Sequence, residues 1–235
     1  YKKMQLSEIF LLMVGLVVTF GIYYYIRSGV VLDIGSSSVQ DSELLNNPYL
    51  LATDSQASAT KVFMNLKYFL LLLYPYVMSS DYSYNVIPYK DYSDLSVILS
   101  ILLLIGSVLG LLYTIRKRSW LAFPIAFALI HLFLVNNMFF NIGATMGERL
   151  VYHSSLGTCM LMAFGVYYLF TKVLKLNGNM TAFVILPIVL LYSVKTIARN
   201  PAWKNDYTLT MTDVQTYPNS ILLNGNACNR LIEMS

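Results

Sequence analysis

The amino-acid sequence predicts an all-α, polytopic membrane protein: about five crossing helices, one re-entrant or interfacial helix, and the start of a soluble helical repeat. Three observations carry that prediction. Of the 235 residues, 57% are hydrophobic and only 12% charged, whereas about a quarter of the residues in soluble domains are charged. Mean hydropathy is +0.58, more apolar surface than one soluble core can use but what a bilayer requires. The apolar residues are also gathered into runs close to the ~20 residues that cross a hydrocarbon core. Finally, the basic residues, which leave a formal net charge of +4, lie in short clusters beside those runs. They form no stripe interleaved with aromatics, so nucleic acid is not a partner.

The crossing segments are Leu6–Ile26, Leu95–Ile115, Trp120–Val135, Val151–Thr171 and Met180–Ala198. A further run, Val62–Met78, is broken by Asn65, Lys67 and Pro75, and is expected to be a re-entrant or interfacial helix. Basic loops mark the cytoplasmic side: Lys2-Lys3, Arg116-Lys117-Arg118, and Lys172 with Lys175. The loops at 27–61, 79–94 and 136–150, and the tail from Arg199, then face outward. This parity requires that Val62–Met78 does not cross; a sixth crossing would put Lys2-Lys3 outside. Within the second span, Gly106-Ser107-Val108-Leu109-Gly110 is a small-xxx-small pattern that predicts close helix packing.

The first outward loop contains Gly35-Ser36-Ser37-Ser38, Asp41, Glu43 and Asn46-Asn47-Pro48, an extramembrane connection. The second holds Asp81-Tyr82-Ser83-Tyr84 and Pro88-Tyr89-Lys90-Asp91-Tyr92. Most of these tyrosines are expected in an aromatic belt at headgroup level, rings buried and hydroxyls wet. After Ala198 the sequence becomes mixed and soluble in character. Pro218 closes one helix, Asn219 or Ser220 caps the next, and Ile221, Leu222, Ala227 and Leu231 supply an apolar stripe. A lone hairpin of this kind cannot bury its faces, so further repeats are expected to follow. The chain starts at Tyr1 without a signal peptide and stops inside the pattern Leu231–Ser235, so it is expected to be an internal piece of a longer polypeptide.

Candidate chemistry is concentrated in the polar insert Asn136–Ser155, between two apolar runs. Ionisable groups at the mouth of a membrane helix are expensive to desolvate and have a task or a partner. Arg149 lies one helical turn before His153, so both can point at one anion held at the membrane surface. An arginine suits phosphate because its planar fork donates two hydrogen bonds and stays charged. The competing reading pairs Arg149 with Glu148 or another carboxylate. Asp81 either lines a cavity, orienting a sugar hydroxyl or Arg149, or caps a turn as aspartate commonly does. His131 sits inside an apolar run and reads as a packed histidine; Lys195 and Arg199 read as anchors at a helix C-terminus. His131 and His153 are far apart in sequence and no ligand spacing surrounds them, so no metal is predicted. Cys159 and Cys228 read as free thiols, and no phosphate-cradling glycine loop occurs.

The succession of Asn46-Asn47-Pro48, Leu70–Pro75 leading into Asp81-Tyr82-Ser83, Asn141–Tyr152, Arg199-Asn200-x-x-Trp203 and Pro218-Asn219 resembles the transmembrane and tetratricopeptide repeat-containing O-mannosyltransferases and their bacterial relatives. The block Gly143-Ala144-Thr145-Met146-Gly147-Glu148-Arg149-Leu150-Val151-Tyr152 is its most specific part, and the likeness runs from about residue 40 onward. The family often continues this block with Pro-Ser; here His153-Ser154-Ser155 follows, so no role for His153 carries over.

The resemblance implies a GT-C type membrane glycosyltransferase with a polyprenyl-phosphate sugar as donor, working on the non-cytoplasmic face. Residues 1–198 would be the C-terminal part of its membrane domain and 199–235 the lead-in to tetratricopeptide repeats that hold an acceptor protein. The catalytic base is expected upstream of Tyr1, leaving this piece inactive alone. Arg149 and His153 are expected to bind the lipid phosphate, with Glu148, Asp81 and Tyr82 orienting the site and Glu148 holding the guanidinium in place. A non-enzymatic membrane scaffold that presents repeats to partner proteins is the alternative.

Overall fold

The computed structural model describes residues 6–33, 44, 47–138, 142–175 and 181–234, and every regular element among them is helical. The expectations placed on Lys2-Lys3, Gly35–Glu43, Asn46, Asn141 and Met180 lie outside the described residues. The chain divides into two units, residues 1–41 and 42–235. The first is helix α1 (Leu6–Asp33), whose large apolar side chains from Phe10 to Ile26 are exposed, as a helix solvated by lipid requires.

The second unit contains α2 (Asp54–Leu73), α3 (Leu95–Arg116), α4 (Ala122–Val135), α5 (Tyr152–Tyr168), α6 (Thr181–Arg199), α7 (Asp206–Thr216) and α8 (Ile221–Glu233). A 3-10 turn, Glu148–Val151, leads into α5 and a π turn, Leu169–Val173, follows it, so Glu148–Val173 is one apolar helical stretch. Among the described residues four helices are long and apolar enough to cross a membrane: Phe10–Ser28, Leu95–Arg116, Glu148–Val173 and Phe183–Lys204. The remaining expected span is shorter than predicted. Its helix starts at Ala122, because Trp120 and Leu121 form a turn, and its 14 residues rise only about 21 Å against a core of ~30 Å.

Helix α2 starts earlier than its apolar run suggests. Thr53 and Gln56 form a reciprocal capping box, which fixes the start at Asp54. It ends at Leu73, ahead of Pro75, where a proline biases the preceding residue away from helix. Ala59, Phe63, Met64 and Tyr68 put its buried face at the centre of the core, with Tyr82, Ile87, Val97, Met146 and Val151 packed around them.

Polar residues join these helices from inside. Asn65 is fully buried; its Nδ2 donates to the Val62 carbonyl at 3.0 Å, and its Oδ1 accepts from Asn136 Nδ2 at 3.1 Å. Asn137 Nδ2 donates to the Ala144 carbonyl at 2.8 Å, while its Oδ1 accepts from the Ile142 N–H at 2.9 Å. The polar insert is thus folded inward by its own asparagines.

Close packing occurs where the glycine pattern does not predict it. At Gly106 and Gly110 an added Cβ would meet nothing within 4 Å, so that motif makes no close helix contact among the described residues. At Gly157 a Cβ would lie 2.5 Å from the Pro124 carbonyl oxygen and 3.0 Å from Ala128 Cβ. This glycine brings α5 against α4.

The segment after α6 forms the expected pair of helices. Asn205 and Thr208 make a capping box for α7, and Ser220, not Asn219, caps α8 by accepting from the Leu223 N–H. The buried side of α8 is Leu223 and Ala227, whereas Ile221 and Leu231, expected in the stripe, are exposed. The pair joins the loop between α2 and α3 through the Ile221 N–H, which donates to the Tyr84 carbonyl at 2.9 Å.

Candidate functional site at the mouth of helix α5

The loop after α2, the 3-10 turn before α5, the end of α6 and helix α7 meet around two neighbouring serines. The Ser79 N–H donates to Glu148 Oε1 at 2.7 Å. The Tyr82 hydroxyl donates to the same oxygen at 2.7 Å and accepts from Ser79 N–H at 3.1 Å. The next residue reaches another carboxylate: Ser80 N–H and Oγ both donate to Asp213 Oδ2, at 2.7 and 2.6 Å. Arg199 Nη2 closes the cluster, 2.6 Å from Asp213 Oδ1. The Asp213 side chain is completely buried and that of Arg199 nearly so, so each charge depends on the other.

Tyr82 is buried, and Tyr217 packs a tilted ring against it with centroids 5.6 Å apart. Burial, then the hydrogen bond and charge of Glu148, push the Tyr82 phenol well above its ordinary value. It therefore remains a neutral hydrogen-bond donor. In the same loop the Tyr89 hydroxyl donates to the Pro48 carbonyl at 2.8 Å.

Glu148 and Tyr82, predicted as orienting residues, are brought together. Arg149 is not held by Glu148: its side chain is exposed and forms no hydrogen bond or ion pair among the described residues. Adjacent residues in a 3-10 turn point about a third of a turn apart, so the carboxylate enters the core while the guanidinium leaves it. Asp81 turns to its own loop, accepting from Ser83 N–H at 2.9 Å and from Ser83 Oγ at 2.5 Å. That is the turn-capping alternative, and among the described residues Asp81 forms no ion pair with Arg149.

His153 is exposed on α5, and its ring stacks on His131 with centroids 5.6 Å apart and planes 13° from parallel. His131 Nδ1 lies 2.8 Å from the Phe127 carbonyl oxygen. Sequence separation hid this pair. Among the described residues no group of three or more metal-ligating side chains is assembled.

Sequence reading also missed Asp213 and the task of Arg199, which is an ion-pair partner and not a headgroup anchor. A signal for Asp213 existed: Thr210, Asp213 and Tyr217 share one face of α7 and its cap at spacings of three and four.

Apolar helices able to cross a membrane, with a dense polar cluster at their mouth, define a multi-pass helical membrane protein. Curated relatives narrow the class. Protein O-mannosyl-transferase TMTC1 of Mus musculus is 27% identical over 206 residues, 83% of this chain and 21% of that protein. Protein O-mannosyl-transferase TMTC4 of Homo sapiens is 30% identical over 154 residues, 63% of this chain and 20% of that protein. Protein O-mannosyl-transferase Tmtc3 of Drosophila melanogaster is 25% identical over 217 residues, 84% and 23% of the respective chains. The chain is thus similar along most of its length to proteins named protein O-mannosyl-transferases. It spans only about a tenth to a quarter of the length of the curated relatives it matches. No protein-family model and no solved structure matches it.

Proposed function

We propose that the full-length protein transfers a hexose, mannose by analogy with the names of its relatives, from a polyprenyl-phosphate carrier to a protein hydroxyl. In that reaction the acceptor oxygen bonds to the anomeric carbon. The bond from that carbon to the phosphate oxygen breaks, the phosphate leaves with the electron pair, and the hydroxyl proton passes to a base for which this chain offers no assigned residue.

The observation that carries the reading is Arg149, exposed and without an ion pair or hydrogen bond among the described residues, next to a carboxylate held by Ser79 and Tyr82. A cation so placed is free to meet the phosphate and to stabilise the charge that grows on it. Glu148 and Tyr82 act as positioning residues: they fix the turn from which Arg149 projects. His153, exposed one turn later, is a second candidate for the same phosphate, and Asp81 shapes the adjoining loop through its turn. An apolar furrow of about 660 Å³ between α5 and α6, lined by Met162, Val166, Ile185, Val189 and Tyr192 among others, has the chemistry to take an isoprenoid chain. The site and the tail from Arg199 belong on the non-cytoplasmic face in this reading. Repeats following α8 would present the acceptor protein.

One observation favours a scaffold instead: both carboxylates at the site, Glu148 through Oε1 and Asp213 through both oxygens, are engaged in structural hydrogen bonds. The full-length protein, reconstituted with radiolabelled polyprenyl-phosphate sugars and candidate acceptor proteins, separates the two. Label transferred to a serine or threonine hydroxyl is the expected result. Acceptor binding without transfer from any such donor would leave the scaffold.

A further inference from the structure

We propose that Lys67 is a second phosphate contact: its ammonium receives the phosphate of a lipid whose chain leaves along α5 and α6. This rests on the lipid-phosphate reading above and adds a residue that reading does not use. Lys67 lines a cavity of about 290 Å³ together with Tyr74, Tyr76, Tyr82, Met146 and Tyr217. Among the described residues no carboxylate lines it; that of Glu148 is bonded to Tyr82, which does. Lys67 Nζ stands 6.0 Å from the centroid of the Phe63 ring, and Lys90 stands on the same ring at 5.6 Å. Lys90 has Asp94 at 3.7 Å, whereas Lys67 forms no ion pair or hydrogen bond among the described residues. A half-buried cation beside a second cation and without a counter-charge favours an anion.

The rim identifies the anion as part of an amphipathic molecule. Leu70, Tyr74 and Tyr76, at the mouth, are exposed apolar side chains. Tyr74 meets Tyr192 edge to face, centroids 6.2 Å apart, and Tyr192 lines the apolar furrow between α5 and α6. Head and tail therefore have adjoining places: the phosphate at Lys67, under the hydroxyl-bearing rings, and the hydrocarbon past Tyr74 and Tyr192. Lys195 braces this junction, donating from Nζ to the Tyr76 carbonyl at 2.6 Å.

The test is farnesyl phosphate binding to the full-length protein in phosphatidylcholine nanodiscs. A charge-assisted contact predicts that Lys67→Gln weakens binding by roughly 10–100-fold and that Lys67→Arg stays within a few-fold of wild type. Competition by inorganic phosphate would assign the affinity to the phosphate itself, and equal competition by phosphatidylglycerol to any anionic headgroup; both support a phosphate site at Lys67. Binding by Lys67→Gln within twofold of wild type overturns it. If Arg149→Ala alone weakens binding, the carrier reading survives and the Lys67 site falls. Lys67-dependent binding without sugar transfer from any donor would keep the site and remove the transferase. Lys67→Met, read alongside the melting temperature, guards against misfolding of one variant.

Discussion

At Asp213 three donors converge on one buried carboxylate: the Ser80 backbone, the Ser80 hydroxyl and the Arg199 guanidinium. Removing one partner of such a pair leaves a buried charge alone, which costs about 3–5 kcal/mol. Asp213→Ala should therefore lower the chemical-denaturation stability of the full-length protein by about that amount, whereas Arg199→Ala with Asp213→Ala should cost less than the sum of the two. Additive losses in that double-mutant cycle would deny the coupling. Tyr82 gives a pH prediction. Its phenol is raised in the folded state, by burial first and by Glu148 second, so the folded protein holds that proton longer than the unfolded chain does. Stability from this source is fully present below the ordinary tyrosine value of about 10 and declines above it. Ultraviolet titration should show no tyrosinate from Tyr82 between pH 5 and 9, and Tyr82→Phe should flatten part of the alkaline loss. Residues of this kind were the least legible in the sequence. Ser79, Ser80 and Tyr82 find partners 66 to 133 positions away, and for Asp213 the local pattern offers only the face it shares with Thr210 and Tyr217, which does not name its partners.

At the scale of elements, the membrane helices were readable because a bilayer sets a length and a composition that apolar runs report directly. Leu95–Arg116 matches the expected span within one residue, and Glu148–Val173 contains the expected Val151–Thr171. Boundaries set by side-chain caps do not follow the apolar runs: the Thr53-x-x-Gln56 box starts α2 eight residues ahead of Val62, where its apolar run begins. Helix contacts were harder still. A small residue signals close approach only when a neighbour is there to use it, which separates Gly157 from Gly106 and Gly110. Gly157→Ala should push α5 from the Pro124 carbonyl and cost about 1–3 kcal/mol, read as a lower melting temperature in detergent. Gly106→Ala should be close to neutral in the same measurement, and equal effects at both sites would refute this packing.

Across the second unit, the polar cluster ties the loop after α2 to the lead-in of α5, the end of α6 and the tail helix α7. Apolar helices place this cluster at their mouth, and the cluster in turn fixes the turn that projects Arg149. The family resemblance was legible in the Gly143–Tyr152 block because several residue types recur there at fixed spacing, and the curated relatives bear it out. Which of those residues faces outward was not legible, since Glu148 and Arg149 are neighbours in sequence and diverge only once the 3-10 turn forms. The measurement that tests the account most directly is sugar transfer by the full-length Arg149→Ala variant, from polyprenyl-phosphate mannose to acceptor protein, in membranes where its insertion equals wild type. The account predicts transfer at least ~100-fold below wild type, as expected for loss of a charge-stabilising donor. Transfer at the wild-type rate would contradict it.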